Sequence, residues 1–163
     1  MALSRSDARR QISSLKSELD ASYQRYTQGL LSMSIPLHDD MHKYMCIRLS
    51  GYLEQLMFIS ITGYLGGAVG GSPQNFVMSF FKRAPNLGPT ALEELVARFG
   101  DPWKSEIADF LGRDERRNSL GKLIEIRNKV AHGQSYQGGQ MTVATYKKLV
   151  DDLHSWVVSR MLP

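Results

Sequence analysis

The sequence predicts an all-α protein with essentially no strand. Apolar residues recur at steps of three and four through most of its 163 residues, the spacing of an amphipathic helix. Capping residues, prolines and glycines fall mainly between those periodic stretches, where they start and stop helices.

Taken in order, the first helix is expected over residues 4–31. Ile12, Leu15, Leu19, Tyr23, Tyr26 and Leu30 form its apolar stripe, with Ser4 or Ser6 at its start. Tyr23 and Tyr26 read as core packing rather than a stacking platform. Pro36 is expected to separate this helix from a second over residues 39–64, whose N-terminus suits Asp39 and Asp40. Met41, Tyr44, Met45, Leu49, Tyr52, Leu53, Leu56 and Ile59 give it an apolar band broad enough to be buried on most sides. Ser50-Gly51 inside it lowers helix propensity, which predicts close approach of another helix there. Arg48 and Glu54 are charges in a mostly apolar helix and read as edge residues or as reaching a site; an unpaired buried carboxylate is costly, so Glu54 is expected to face the Arg127–His132 region.

Residues 63–73, GYLGGAVGGSP, lack both GxxxxGK[ST] and GxGxxG and read as a flexible connection, not a phosphate loop. Three short helices follow. Ser72-Pro73 starts the first, where Phe76, Val77, Phe80 and Phe81 pack and Lys82-Arg83 ends the turn. Thr90-x-x-Glu93 reads as a capping box for the second, closed by Gly100. Asp101-Pro102 starts the third, closed by Gly112. Arg113, Arg116, Arg117 and Lys122 are then expected on the same helix as Arg127 and Lys129. After a turn-rich loop, QSYQGGQ, Thr142 is expected to cap a closing helix lined by Val143, Tyr146, Leu149, Val150, Leu153, Trp156, Val157 and Met161.

Length favours one domain over residues 1–163, and such a chain buries about 70% of its unfolded surface without needing disulfides. The single Cys46 suits a reducing, cytoplasmic home. The start, MALSRSDARRQ, has no signal-peptide core, and the longest uncharged apolar run, residues 56–69, is too short to span a bilayer. A soluble protein with no membrane association is therefore expected. Net charge of +4 and pI near 9.3 favour a polyanionic partner without specifying one. One cysteine and four dispersed histidines provide no zinc pattern, and capping and solvation account for His38, Asp39, Asp40 and His42 better than a metal does. His154 reads as an exposed or satisfied histidine rather than a ligand. No metal and no cofactor are expected.

The chemistry gathers in residues 123–133, LIEIRNKVAHG. Leu123, Ile126 and Val130 form a buried stripe, and Gly133 supplies the φ > 0 position that ends a helix. Asn128 and His132 share a face at i, i+4, with Arg127 about 100° round and long enough to swing back. Chance alone places an Arg-x4-His about 0.3 times in a chain of this composition, so the helical context gives the set its weight. A cation, an amide and an imidazole then converge at one helix end. Their bland alternative is an Arg127 paired with a surface carboxylate and a His132 meeting the last helix carbonyls.

EIRNKVAHG resembles the Arg-x4–6-His signature of HEPN domains, including the polar residue after the Arg found in ribonuclease members. The order of elements is similar too, most of all to the RiboL-PSP type: a long helix, a second carrying SGYLEQL, smaller helices, the Arg-Asn…His helix and a closing one. The resemblance implies an up-and-down helical bundle and a metal-independent endoribonuclease in which a 2′-hydroxyl attacks the adjacent phosphate. It implies Arg127, Asn128 and His132 as catalytic residues, a homodimer with the Arg127–His132 helix at its interface, and an RNA substrate. It also implies a toxin or anti-phage role beside a neutralising partner such as an antitoxin. Glu54 is the supporting carboxylate candidate; Arg113, Arg116, Arg117, Lys122 and Lys129 are candidate RNA contacts, against the plain alternative of a solvated helix face. A non-catalytic HEPN-like module that binds nucleotide or protein is the alternative function. A related subgroup has a modifiable tyrosine two residues after the His; here Gln134 stands there and Tyr136 is the nearest tyrosine, which argues against that regulation.

Overall fold

The periodic stretches fold as helices, and small residues decide how closely those helices meet. The computed structural model describes residues 3–79, 87–136 and 138–163. Its helices are α1 (Arg5–Gly29), α2 (Ile35–Ala68), α3 (Gly71–Ser79), α4 (Pro89–Ala97), α5 (Trp103–Gly112), α6 (Arg116–Ala131) and α7 (Gln140–Met161), with no strand among the described residues. The chain is thus an all-α bundle. α2 lies at its centre, packed against α1, α3, α6 and α7, while α4 and α5 pack on each other and on α6.

The core is where these faces meet: Ala8, Ile12 and Leu19 of α1, Leu49, Leu53, Leu56 and Met57 of α2, Leu120 and Leu123 of α6, and Val150, Leu153 and Val157 of α7. Ser4 starts α1, its hydroxyl accepting the Asp7 N–H at 3.0 Å. Tyr26 is buried as expected, and Tyr23 packs beside it with ring centroids 5.7 Å apart. Lys16 and Lys147 bridge Asp20 and Asp151 at 2.6–3.0 Å, stitching α1 to α7.

Several expected boundaries move. Pro36 does not separate α1 from α2; it sits in the first turn of α2, where the missing N–H has no helical acceptor to lose. Asp39 and Asp40 therefore lie past that first turn. His42 is buried rather than solvated, its Nδ1 sharing a 2.7 Å hydrogen bond with the Tyr26 hydroxyl. His154 is satisfied likewise, its Nδ1 2.6 Å from the Tyr52 hydroxyl.

The glycine-rich stretch is not a flexible connection, because α2 runs on through Gly66 and Gly67 and only Val69 and Gly70 separate it from α3. A Cβ on Gly63 would overlap the Ala8 methyl, one on Gly66 the Leu3 carbonyl, and one on Gly67 would meet Arg5 at 2.9 Å. These glycines let the start of α1 lie directly on the end of α2. The close approach expected at Ser50-Gly51 is absent at Gly51, where a Cβ would meet nothing within 4 Å; Ser50 is fully buried, and its hydroxyl bonds back to the Ile47 carbonyl at 3.0 Å.

The short helices shift by a residue or two. α3 begins at Gly71, so Ser72-Pro73 falls within its first turn; none of its residues is buried, and Phe76 is exposed rather than packed in the core. Phe80, Phe81, Lys82 and Arg83 lie outside the described residues. Gly88 precedes α4 in the capping position, so Thr90 is not the cap and Glu93 turns instead to Arg117. Gly100 ends α4 at φ 77° and Pro102 precedes α5 as the spacing predicts. Arg113 is extended at the end of α5, and Asp114 and Glu115, at φ 53° and 57°, break the chain before α6. Arg113 is therefore not on the helix of Arg127. α7 starts two residues before Thr142, with Gly139 in the capping position. No described helix is long and apolar enough to cross a membrane.

Two predictions follow from this packing. Gly63→Ala should destabilise the fold by about 1–3 kcal/mol through overpacking on Ala8, whereas Gly51→Ala should leave it unchanged or raise it by up to about 1 kcal/mol through helix propensity; urea unfolding of both variants checks the contrast.

The second concerns pH. Burial holds the His42 and His154 imidazoles below the ordinary histidine range. The unfolded chain, at about 6.5 per histidine, then takes up protons first as pH falls, so this stability is complete above about pH 6.5 and declines below it. Burial opposes ionisation of Asp20 and Asp152, but their lysine and arginine partners outweigh it and hold both below the usual carboxylate range. Their loss comes only in stronger acid. Thermal midpoints should fall between pH 7.5 and 5.5, and the fall should shrink in His42→Gln or His154→Gln.

Candidate active site at the end of α6

α6 buries Leu120, Leu123, Ile124 and Ile126 and turns Asn128 and Lys129 to solvent. Its end is closed by a reciprocal cap. Gly133, at φ 71°, donates its N–H to the Val130 carbonyl at 3.0 Å, and Gln134 donates to the Lys129 carbonyl at 2.9 Å. This is the Schellman arrangement, and glycine satisfies its left-handed position without a Cβ penalty. His132 is the residue just before that glycine, its backbone N–H shared between the Asn128 and Lys129 carbonyls. The imidazole is exposed and has no hydrogen-bond or ion-pair partner among the described residues.

Arg127 sits at the border between the buried and open faces. Its Nη2 lies 3.1 Å from Glu54 Oε1, and its Nη1 donates to Asn128 Oδ1 at 3.3 Å. The Glu54 side chain is 22% exposed and that of Arg127 44% exposed, so this carboxylate is half-sunk on α2, not a loose surface partner. Arg127, Asn128 and Glu54 thus come together directly. His132 joins them through the helix, on the same face as Asn128 and one turn beyond it.

On α2, Ile47 precedes Glu54 by about two helical turns and lines a groove with Leu15 and Leu19 of α1. Ile47, Tyr44 and Leu37 are 41%, 48% and 51% exposed, an apolar strip on the open side of α2. Tyr44 belongs to the apolar band expected to be covered, and it is not.

A family model described as RiboL-PSP-HEPN matches residues 4–157. The chain belongs to the RiboL-PSP-HEPN family. Comparison with curated proteins and with solved structures returned no match.

The basic residues of this HEPN chain do not form one track. Arg116 is tied to Asp152 at 3.2 Å and Asp114 at 3.4 Å and lies over the Phe110 ring at 4.2 Å. Arg117 pairs with Glu93, and Lys129 with Glu125 at 2.6 Å. Arg113 and Lys122 are exposed with no ion-pair partner within 4.0 Å among the described residues. Arg116 and Arg127 are about 16 Å apart along the helix axis. Among the described residues no group of three or more His, Cys, Asp or Glu is placed to hold a metal ion.

A bridge between two partly exposed side chains contributes little to folding, so Glu54→Gln should cost no more than about 1 kcal/mol. Denaturant unfolding checks this; a loss several times larger would mean that the pair holds α6 in place rather than setting the orientation of Arg127.

Proposed function

We propose that this protein is a metal-independent endoribonuclease whose site is the Arg127, Asn128 and His132 set at the end of α6, completed by a second copy of the chain. HEPN domains are frequently ribonucleases. The observation that carries the reading is an open imidazole one helical turn beyond Asn128, which together with Glu54 holds Arg127 in position.

The chemistry follows from those groups. One imidazole takes the proton of the RNA 2′-hydroxyl as its oxygen bonds to the adjacent phosphorus. The bond from phosphorus to the 5′-oxygen then breaks, leaving a 2′,3′-cyclic phosphate, and the departing oxygen receives a proton from a second group. Histidine titrates near neutrality and suits either transfer. Arg127 has five N–H donors; Glu54 and Asn128 occupy two, leaving the rest for the charge that develops on the phosphorane oxygens. Asn128 fixes the plane of the guanidinium.

One protomer offers one histidine here, because His42 and His154 are committed to tyrosines and the His38 Nε2 lies 3.2 Å from the Met33 carbonyl. A two-fold contact supplies the second His132. Leu37, Tyr44 and Ile47, apolar side chains exposed on α2, support that contact, since a second copy of the chain would cover them. In a cell such an enzyme acts as a toxin or anti-phage effector under a neutralising partner protein. The second reading, a non-catalytic binding module, is favoured by one observation: most cations of α6 are already neutralised within the chain.

The deciding experiment is cleavage of single-stranded RNA by the purified protein. His132→Ala should lose at least about 100-fold in rate while keeping helical content and dimer mass, and EDTA should change nothing. A folded His132→Ala dimer with wild-type cleavage would refute the assignment, and a fully active monomer would refute the shared site.

A further inference from the structure

Four residues after His132 the chain turns back into the protein. Residues 131–135 are all exposed; Tyr136 is buried. Its hydroxyl lies against the Cys46 thiol of α2, and the phenols of Tyr146 on α7 and Tyr26 on α1 act on it electrostatically. The hydroxyl is enclosed yet makes no well-formed hydrogen bond. Burial pushes the Tyr136 phenol well above its ordinary range and the Cys46 thiol up to about 11, so both stay protonated near neutrality. The phenol end also rests on Gly138, two residues on in the same loop, where a Cβ would overlap the phenol oxygen and the ring carbon that bears it. The ring is thus held between α2 and its own loop, folded closely over it.

We propose that Tyr136 is the anchor that fixes His132, a positioning residue whose clamped ring holds the end of α6 in register with Arg127. His132 lies at a helix end, where backbone opens most readily. The nearest fully buried side chain before it is Ile126. After it comes Tyr136, and the next buried residue is Val143 in α7. Without Tyr136 the segment bearing His132 would hang from Ile126 to Val143 with only partly buried Val130 between. The exposed hydrogen bonds of the Schellman cap would then compete with water unaided. A displacement of about 1 Å costs a catalytic group on the order of 100-fold in rate. The catalytic half of this proposal rests on the nuclease reading; the anchoring half does not.

The test compares Tyr136→Ala, Tyr136→Phe and Gly138→Ala in the full chain. Amide hydrogen exchange reads residues 132–135, a maleimide reads access to Cys46, and RNA cleavage gives kcat and KM. Tyr136→Ala and Gly138→Ala should each speed exchange at 132–135 and labelling of Cys46 by about tenfold or more, and lower kcat by about 100-fold with KM changed little. Tyr136→Phe should retain all three near wild type, because the ring and not the hydroxyl is held. Gly138→Ala keeps every core side chain and carries the test if Tyr136→Ala does not fold. Unchanged exchange at 132–135 in a folded Tyr136→Ala or Gly138→Ala would overturn the anchor. Faster exchange with wild-type kcat would overturn the positioning role. A wild type that cleaves no RNA would defeat the nuclease reading alone, and exchange would still decide the anchor.

Discussion

The packing of α2 is the constraint on which the rest of the protein depends. It is a 34-residue helix flanked by α1, α6 and α7, and it carries so many apolar residues that most of its circumference must be covered. Burying a helix on several sides demands close approach, and backbones come close only where side chains are absent or small. Gly63, Gly66 and Gly67 provide that at one end, where α1 lies against α2 with no room for a Cβ. Most polar groups trapped by such packing find partners: Tyr26 pairs with His42 and Tyr52 with His154, while the buried Ser60 hydroxyl has none among the described residues.

The same constraint shapes the candidate site. Glu54 is carried into the seam with α6 because its neighbours on α2 are core residues, and a carboxylate there needs a cation. Arg127 answers it. The ion pair contributes little to folding, but it removes the long arginine side chain's freedom and aims its remaining donors outward. His132 is placed by a different device, a glycine-terminated helix end followed by a buried tyrosine. Rigid parts around an exposed imidazole are what proton transfer requires, since such catalysis depends on geometry before it depends on acidity.

Much of this was legible in the residues. Three-four periodicity located the long helices, and Gly133 marked the end of α6 at the position where φ is positive. An acid in the apolar middle of a helix pointed to a cation, and Glu54 has one in Arg127. What escaped had physical reasons. Glycine reads as flexibility in a sequence, yet Gly66 and Gly67 are helical because neighbouring backbone occupies the space of a side chain. Pro36 reads as a break, yet a first helical turn tolerates it. Basic residues on α6 read equally as a solvated face or a track, because the acids that meet Arg116 and Arg117 come from α7 and α4, far off in sequence. Tyr136 lay in a stretch that looked like plain loop, because burial of a loop side chain is a tertiary fact.

In the function proposed, the end of α6 breaks RNA by turning the RNA's own 2′-hydroxyl on the adjacent phosphate. Analysis of the product ends by mass spectrometry, on RNA incubated with the protein in EDTA, tests it most directly. The account predicts a 2′,3′-cyclic phosphate on one fragment and a 5′-hydroxyl on the other. Intact RNA, or fragments ending in 3′-hydroxyl and 5′-phosphate, would contradict it.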